Sequence, residues 1–175
     1  MRVLSVIESL LHGGAETVLV DTVTGLRRHE HLVVHATCAH GAETDPWIAG
    51  RLEAAAIPCH DLDWSRLQNH DQRRDALGGF RPDVVLHHWW GHSAFRPWSR
   101  TVDGDLQPRP AFVCVMHNMR HMAPPGYDAY VLVTPEQRPL LGNLDPARVR
   151  VIPNGVDLSR FTAPPPHAPA RPFTV

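Results

Sequence analysis

With 175 residues, 43% of them hydrophobic, the chain is long enough for one domain of ordinary size with a real core. A net charge of −1, from 17 basic residues that are all arginine and 18 acidic ones, argues against nucleic acid or a polybasic membrane surface as the main partner. No N-terminal apolar run approaches the roughly 20 residues of a membrane span, and no cleavage pattern follows one, so a cytoplasmic protein is expected.

Residues 2–11 form an apolar run without helical period, which predicts a first strand. From Ala15 the apolar positions Ala15, Val18, Leu19, Thr22, Val23 and Leu26 take the spacing of one buried helical face, predicting a helix over 15–28. Gly13-Gly14 is then the turn of a strand-to-helix unit. Such a helix N-terminus offers unpaired N–H groups and the positive end of a dipole to an anion, and glycine lets a ligand come close to the backbone. The same two glycines also serve a sharp turn and helix packing alone, and both readings stand. A Walker loop is excluded because the chain has no lysine. A dinucleotide fingerprint is excluded because there is no third glycine and the second strand, over 32–38, runs into Ala39-His40 without an acid.

A helix over 46–56 comes next, opened by Asp45 as N-cap with Pro46 in the first position. A short third strand covers 59–62. The polar stretch 64–79 carries a helix at about 72–77 stopped by Gly78-Gly79, and further strands are expected over 83–88, 111–116, 129–133 and 149–152, with a short helix over 136–141 before the last. This alternation predicts an α/β fold, a Rossmann-like doubly wound parallel sheet of about seven strands. Cys38, Cys59 and Cys114 lie in or beside these strands and are expected as buried thiols.

Ligands of such sheets bind at the carboxyl ends of the strands. There the sequence places Gly13-Gly14, His87-His88-Trp89-Trp90, His117-Asn118 and Thr134. Trp89 and Trp90 read equally as an apolar wall and as core. The 13 histidines invite a metal, with His29 and His31, His87, His88 and His92, or His117 and His121 as pairs. No paired Cys-x-x-Cys, His-Glu-x-x-His or carboxylate cluster completes a site, so no metal is expected, and no Gly-x-Ser-x-Gly elbow supports a serine hydrolase.

The run Val151-Ile152-Pro153-Asn154-Gly155-Val156-Asp157, with Phe161 after it, ends the last strand in a Pro-Asn-Gly turn. Asn154-Gly155 is expected to supply a positive φ, and Asp157 to cap the short segment beyond the turn. Residues 162–175 are rich in proline and alanine and read as an extended linker running into a new strand.

Together with Gly13-Gly14-Ala15-Glu16 and His117-Asn118, this tail resembles the N-terminal half of GT-B glycosyltransferases of family 4 across residues 1 to 161. The resemblance implies a Rossmann-like acceptor-binding domain over 1–161, with the linker 162–175 leading to a donor-binding domain that is missing here. It implies transfer of a sugar, with retention, from a nucleotide-diphosphate sugar to an unidentified acceptor, with no cofactor and no bound metal. By the same resemblance Gly13 and Gly14 face the donor diphosphate, with Glu16 and Asn118 beside them, and His117 is the catalytic residue at the transferred sugar. His88, Trp89, Trp90 and Thr134 fall on the acceptor side, and Asn154, Gly155 and Asp157 at an interdomain hinge. An acceptor carried by a lipid would add peripheral membrane contact. Glu8 and Glu16 share the spacing of the family's paired donor-domain glutamates but lie in the wrong domain, a coincidence. The alternative is a stand-alone Rossmann-like module for a phosphate-bearing ligand.

Overall fold

The computed structural model describes residues 1–37, 44–63, 77, 79–89 and 108–155. Seven strands form one sheet: β1 (Arg2–Ile7), β2 (Glu30–Thr37), β3 (Cys59–Asp63), β4 (Val84–Trp89), β5 (Ala111–Met116), β6 (Ala129–Leu132) and β7 (Val149–Val151). Their order is β3-β2-β1-β4-β5-β6-β7, and every neighbouring pair is parallel. Two helices, α1 (Gly14–Gly25) and α2 (Pro46–Ala54), pack on each other, and a 3-10 helix covers Pro135–Leu141. This is the expected Rossmann-like α/β sheet.

The sheet is covered on both faces, as its apolar strands require. Alternate residues of β1 supply both cores. Leu4 and Val6 join Val34, Val85, Phe112, Cys114, Met116, Tyr130 and Leu132 in one cluster, whereas Ile7 packs with Leu19, Val20 and Val23 of α1 and with Ile48 and Leu52 of α2 in the other. β1 stops at Ile7, four residues earlier than the apolar run suggested. The remainder turns inward: Leu10 is 2% exposed in the α1–α2 cluster, and its carbonyl accepts from the Asp45 N–H at 2.8 Å. An apolar run records burial, and here it continues past the end of strand pairing.

Other boundaries shift for local reasons. α1 ends at Gly25, since Leu26 leaves helical geometry and its carbonyl faces His31 Nε2 at 3.1 Å. α2 ends at Ala54, and Ala56 takes a positive φ of 53°. The stretch expected as a helix over 136–141 is the 3-10 helix, with Pro139 inside it. Cys114 is buried, but Cys59 is an exposed free thiol because β3 is the sheet edge. Gly155 is exposed and does not have the expected positive φ. The expected helix at 72–77 and Cys38 lie outside the described residues, apart from Leu77, which packs into the first core. Among the described residues no helix is long and apolar enough to cross a membrane.

The Asp45 carboxylate accepts from the N–H groups of Trp47 at 2.9 Å and Ile48 at 3.2 Å, as the sequence led one to expect of this cap. Asp45→Ala should lower stability by about 1 kcal/mol, the usual cost of losing such a cap. Urea denaturation of the variant against the parent measures it.

Candidate functional site

The strand order reverses between β1 and β4: from β1 the chain winds outward to β2 and β3, then crosses back to β4 and continues to β7. A crevice forms at the carboxyl end of such a switch point. The register sets its floor, pairing Ile7 with His88, Trp89 with Met116, and Met116 with Leu132. The glycine turn, His88, His117, Asn118 and Thr134 therefore all lie at or just beyond strand ends along one edge of the sheet.

Gly13 is the N-cap of α1 with extended backbone, φ −151°, so its value does not lie in the left-handed region. A Cβ there would run into the Glu16 carboxylate, which turns back over the loop and accepts from Ser9 Oγ at 3.2 Å. Glu16 is 7% exposed, and burial raises its pKa above the ordinary carboxylate value. Gly14 differs: a Cβ at this position would meet nothing within 4 Å. Gly13 has no side chain to cap the helix, and the Glu16 carboxylate accepts from its own N–H in the first turn. The first amides of the helix and the open space at Gly14 make this turn accessible to an anion.

His87 and His88 point to opposite faces of the sheet, as successive strand residues must. His87 belongs to the side of Trp89 and Tyr127, its Nδ1 hydrogen-bonded to the Tyr127 hydroxyl. Trp89 is 3% exposed inside the first core, so it forms no wall of the crevice. His88 takes the other face and meets His117, its Nδ1 3.0 Å from His117 Nε2, with the rings nearly parallel at 9°. Burial lowers the pKa of His117 to about 4 and that of His87 to about 3. His88 is driven well below the ordinary histidine value by burial first and then by His117 and His87. All three rings are neutral at pH 7, and His117 is the partly exposed one.

Asn118 directs its side chain back to its own loop, its Oδ1 accepting from the N–H groups of Arg120 at 3.0 Å and His121 at 2.7 Å. Thr134 hydrogen-bonds Glu136 and caps the 3-10 helix, a use the site reading did not foresee. Asn154 and Gly155 are exposed beyond β7. Trp90 and Asp157 lie outside the described residues. Among the described residues no group of three or more His, Cys, Asp or Glu side chains could hold a metal.

Gln137 went unnoticed as a site-building residue. Fully buried, it donates through Nε2 to the carbonyls of Met116 at 3.0 Å and Asn118 at 2.9 Å. Its Oε1 accepts from the N–H groups of Val133 at 2.8 Å and Thr134 at 3.3 Å. One amide thus brackets His117 and ties the end of β5 to the end of β6. The signal was present as Thr134-Pro135-Glu136-Gln137, a Thr-x-x-Gln capping box with proline in the first helical position. A separate groove of about 1380 Å³ is lined in part by Thr22, Leu26, Arg51, Pro58 and Gly155.

The glycosyltransferase family 4 model matches residues 12–160. The chain belongs to glycosyltransferase family 4. A search of curated protein sequences gives no significant match. Among solved structures, the chain resembles Anabaena Alr3699/HepE, determined in complex with UDP and glucose, at 16% identity and a TM-score of 0.68, covering 94% of this chain and 47% of that one. It resembles a glycosyltransferase from Rickettsia africae ESF-5 at 16% identity and a TM-score of 0.65, covering 90% of this chain and 44% of that one. Yeast YNL200c is similar at 11% identity and a TM-score of 0.53, covering 86% of this chain and 65% of that one. At these identities the likeness is one of fold. The family 4 chain spans about half the length of the first two structures.

Two predictions test this geometry. Gln137→Leu leaves four backbone groups, that of Met116 buried and the other three half-buried, without their partner and should lower stability by about 2 kcal/mol. Amide chemical-shift changes should concentrate at 116–118 and 133–134. The buried histidines set the second. Their folded pKa values lie below the unfolded value of about 6.5, so between about pH 6.5 and 4 the unfolded chain binds protons that the folded chain does not. Stability contributed by these rings is complete above about pH 6.5 and falls by about 1.4 kcal/mol per pH unit for each ring fully engaged. Urea midpoints at pH 7 and pH 5 should differ accordingly, the lower pH being the less stable.

Proposed function

We propose that this chain is the acceptor-binding half of a nucleotide-sugar-dependent retaining glycosyltransferase of hexosyl type, which transfers sugar when joined to a donor-binding half. The observation that carries the proposal is the pairing, along one strand edge, of a helix N-terminus open at Gly14 with a neutral, partly exposed His117. Family membership supports sugar transfer, and the UDP and glucose held by the Anabaena relative support a nucleotide-diphosphate sugar as donor.

Each part of the edge has work to do in such a reaction. When the bond from sugar to diphosphate breaks, negative charge collects on the leaving diphosphate, and the amides and dipole at Gly13-Gly14 stabilise it. The sugar becomes electron-poor at the same time. His117, uncharged at pH 7, hydrogen-bonds the sugar without placing a cation beside it. Charge on the leaving group is met by backbone amides, and the reaction proceeds with no bound metal.

The test uses two substitutions in the protein joined to its donor-binding half. Gly14→Val places a branched side chain in open space, so the melting temperature should change little while transfer is lost. His117→Ala should lower kcat by about 100-fold with a smaller change in KM, because its contact strengthens as the bond breaks. A folded Gly14→Val protein with near-normal turnover would remove the diphosphate role. Chelation of divalent metal should leave the parent rate unchanged.

A further inference from the structure

We propose that His88 is a positioning residue that fixes the tautomer of His117, so that His117 meets its ligand as a hydrogen-bond donor through Nδ1. Two neutral imidazoles joined by one hydrogen bond share one proton between them, and either ring can supply it. If His117 supplied it from Nε2, the proton of His88 would sit on its own Nε2. That atom is fully buried and has no hydrogen-bond partner among the described residues. A buried N–H without an acceptor is the least tolerated of unpaired groups. The proton of His88 therefore sits on Nδ1 and is donated across the 3.0 Å separation to His117 Nε2. His117 Nε2 is then an acceptor, and the proton of His117 is left on Nδ1.

The surroundings hold this arrangement in place. His88 is the fifth residue of β4, paired with Ile7 on one side and Val115 on the other, and is 1% exposed. The backbone at His117 is fixed by its own N–H donating to the Trp89 carbonyl at 2.8 Å and by Gln137 on both flanking carbonyls. Neither ring can turn without breaking a buried contact. A histidine locked in this way offers an N–H and no free basic nitrogen, so it serves a sugar hydroxyl or another acceptor oxygen and does not withdraw a proton. The identity of that oxygen rests on the transferase reading above; the tautomer does not.

Nitrogen-15 NMR of histidine-labelled chain, assigned by single substitutions, reads the tautomer directly at pH 7 and without sugar. His117 should carry its proton on Nδ1, against the Nε2 preference of free imidazole. In His88→Leu the proton should move to Nε2, and in His88→Asn, which keeps an N–H donor near the position of Nδ1, it should stay on Nδ1. A proton on Nε2 of His117 in the parent protein overturns the proposal even if neither variant folds, and so does an unchanged tautomer in folded His88→Leu. In the protein joined to its donor-binding half, His88→Leu and His117→Ala should each lower kcat, and the double variant should be no slower than His117→Ala alone. Additive losses overturn the positioning role. Full transfer by His117→Ala would instead remove the sugar-contact reading and leave the tautomer result standing.

Discussion

The parallel register between β1, β4 and β5 is the constraint on which the crevice depends. Because Ile7 lies opposite His88 and Trp89 opposite Met116, three strands end within a residue or two of one another and release their loops at one level. A slip of one residue in β4 would exchange the faces of His87 and His88. His88 would then enter the core beside Tyr127, and His117 would face an apolar neighbour. The apolar alternation that builds the two cores is therefore also what sorts two adjacent buried histidines, one against Tyr127 and the other against His117.

Much of this was legible in the sequence. Alternating apolar periods gave the order of strands and helices, Asp45-Pro46 gave the start of α2, and His117 and Gly14 were found where strands end. What escaped was pairwise. Trp89 could not be assigned to core or crevice until the face of β4 was known, and the hydrogen bond between His88 and His117 joins residues 29 apart in sequence. Gln137 was overlooked because its four bonds reach backbone groups, which carry no side-chain signature. The end of β1 was misjudged because Leu10 is as apolar as Ile7 and is buried by helices, not by strand neighbours.

Glycine illustrates how different reasons for the same residue sit side by side. At Gly13 a Cβ would displace the Glu16 carboxylate, the far end of a side chain. Gly14 has no such neighbour among the described residues, which give no steric reason for its smallness. Neither has the positive φ that is the commonest reason for glycine in a turn. A sequence shows the pair as one motif, whereas the fold separates a packing glycine from one that faces open space.

The loop after β5 is pinned at both ends and bare between them. Asn118 is held through its carbonyl by Gln137, the Ala123 N–H donates to Leu140 at 2.8 Å, and the Pro124 carbonyl accepts from the Tyr130 hydroxyl at 2.8 Å. Between these anchors Met119 and Met122 are 52% and 57% exposed, and Arg120 and His121 are exposed as well. Four consecutive side chains are thus exposed while the backbone beneath them is held, so a substitution here would change the surface beside His117 at little cost to the core.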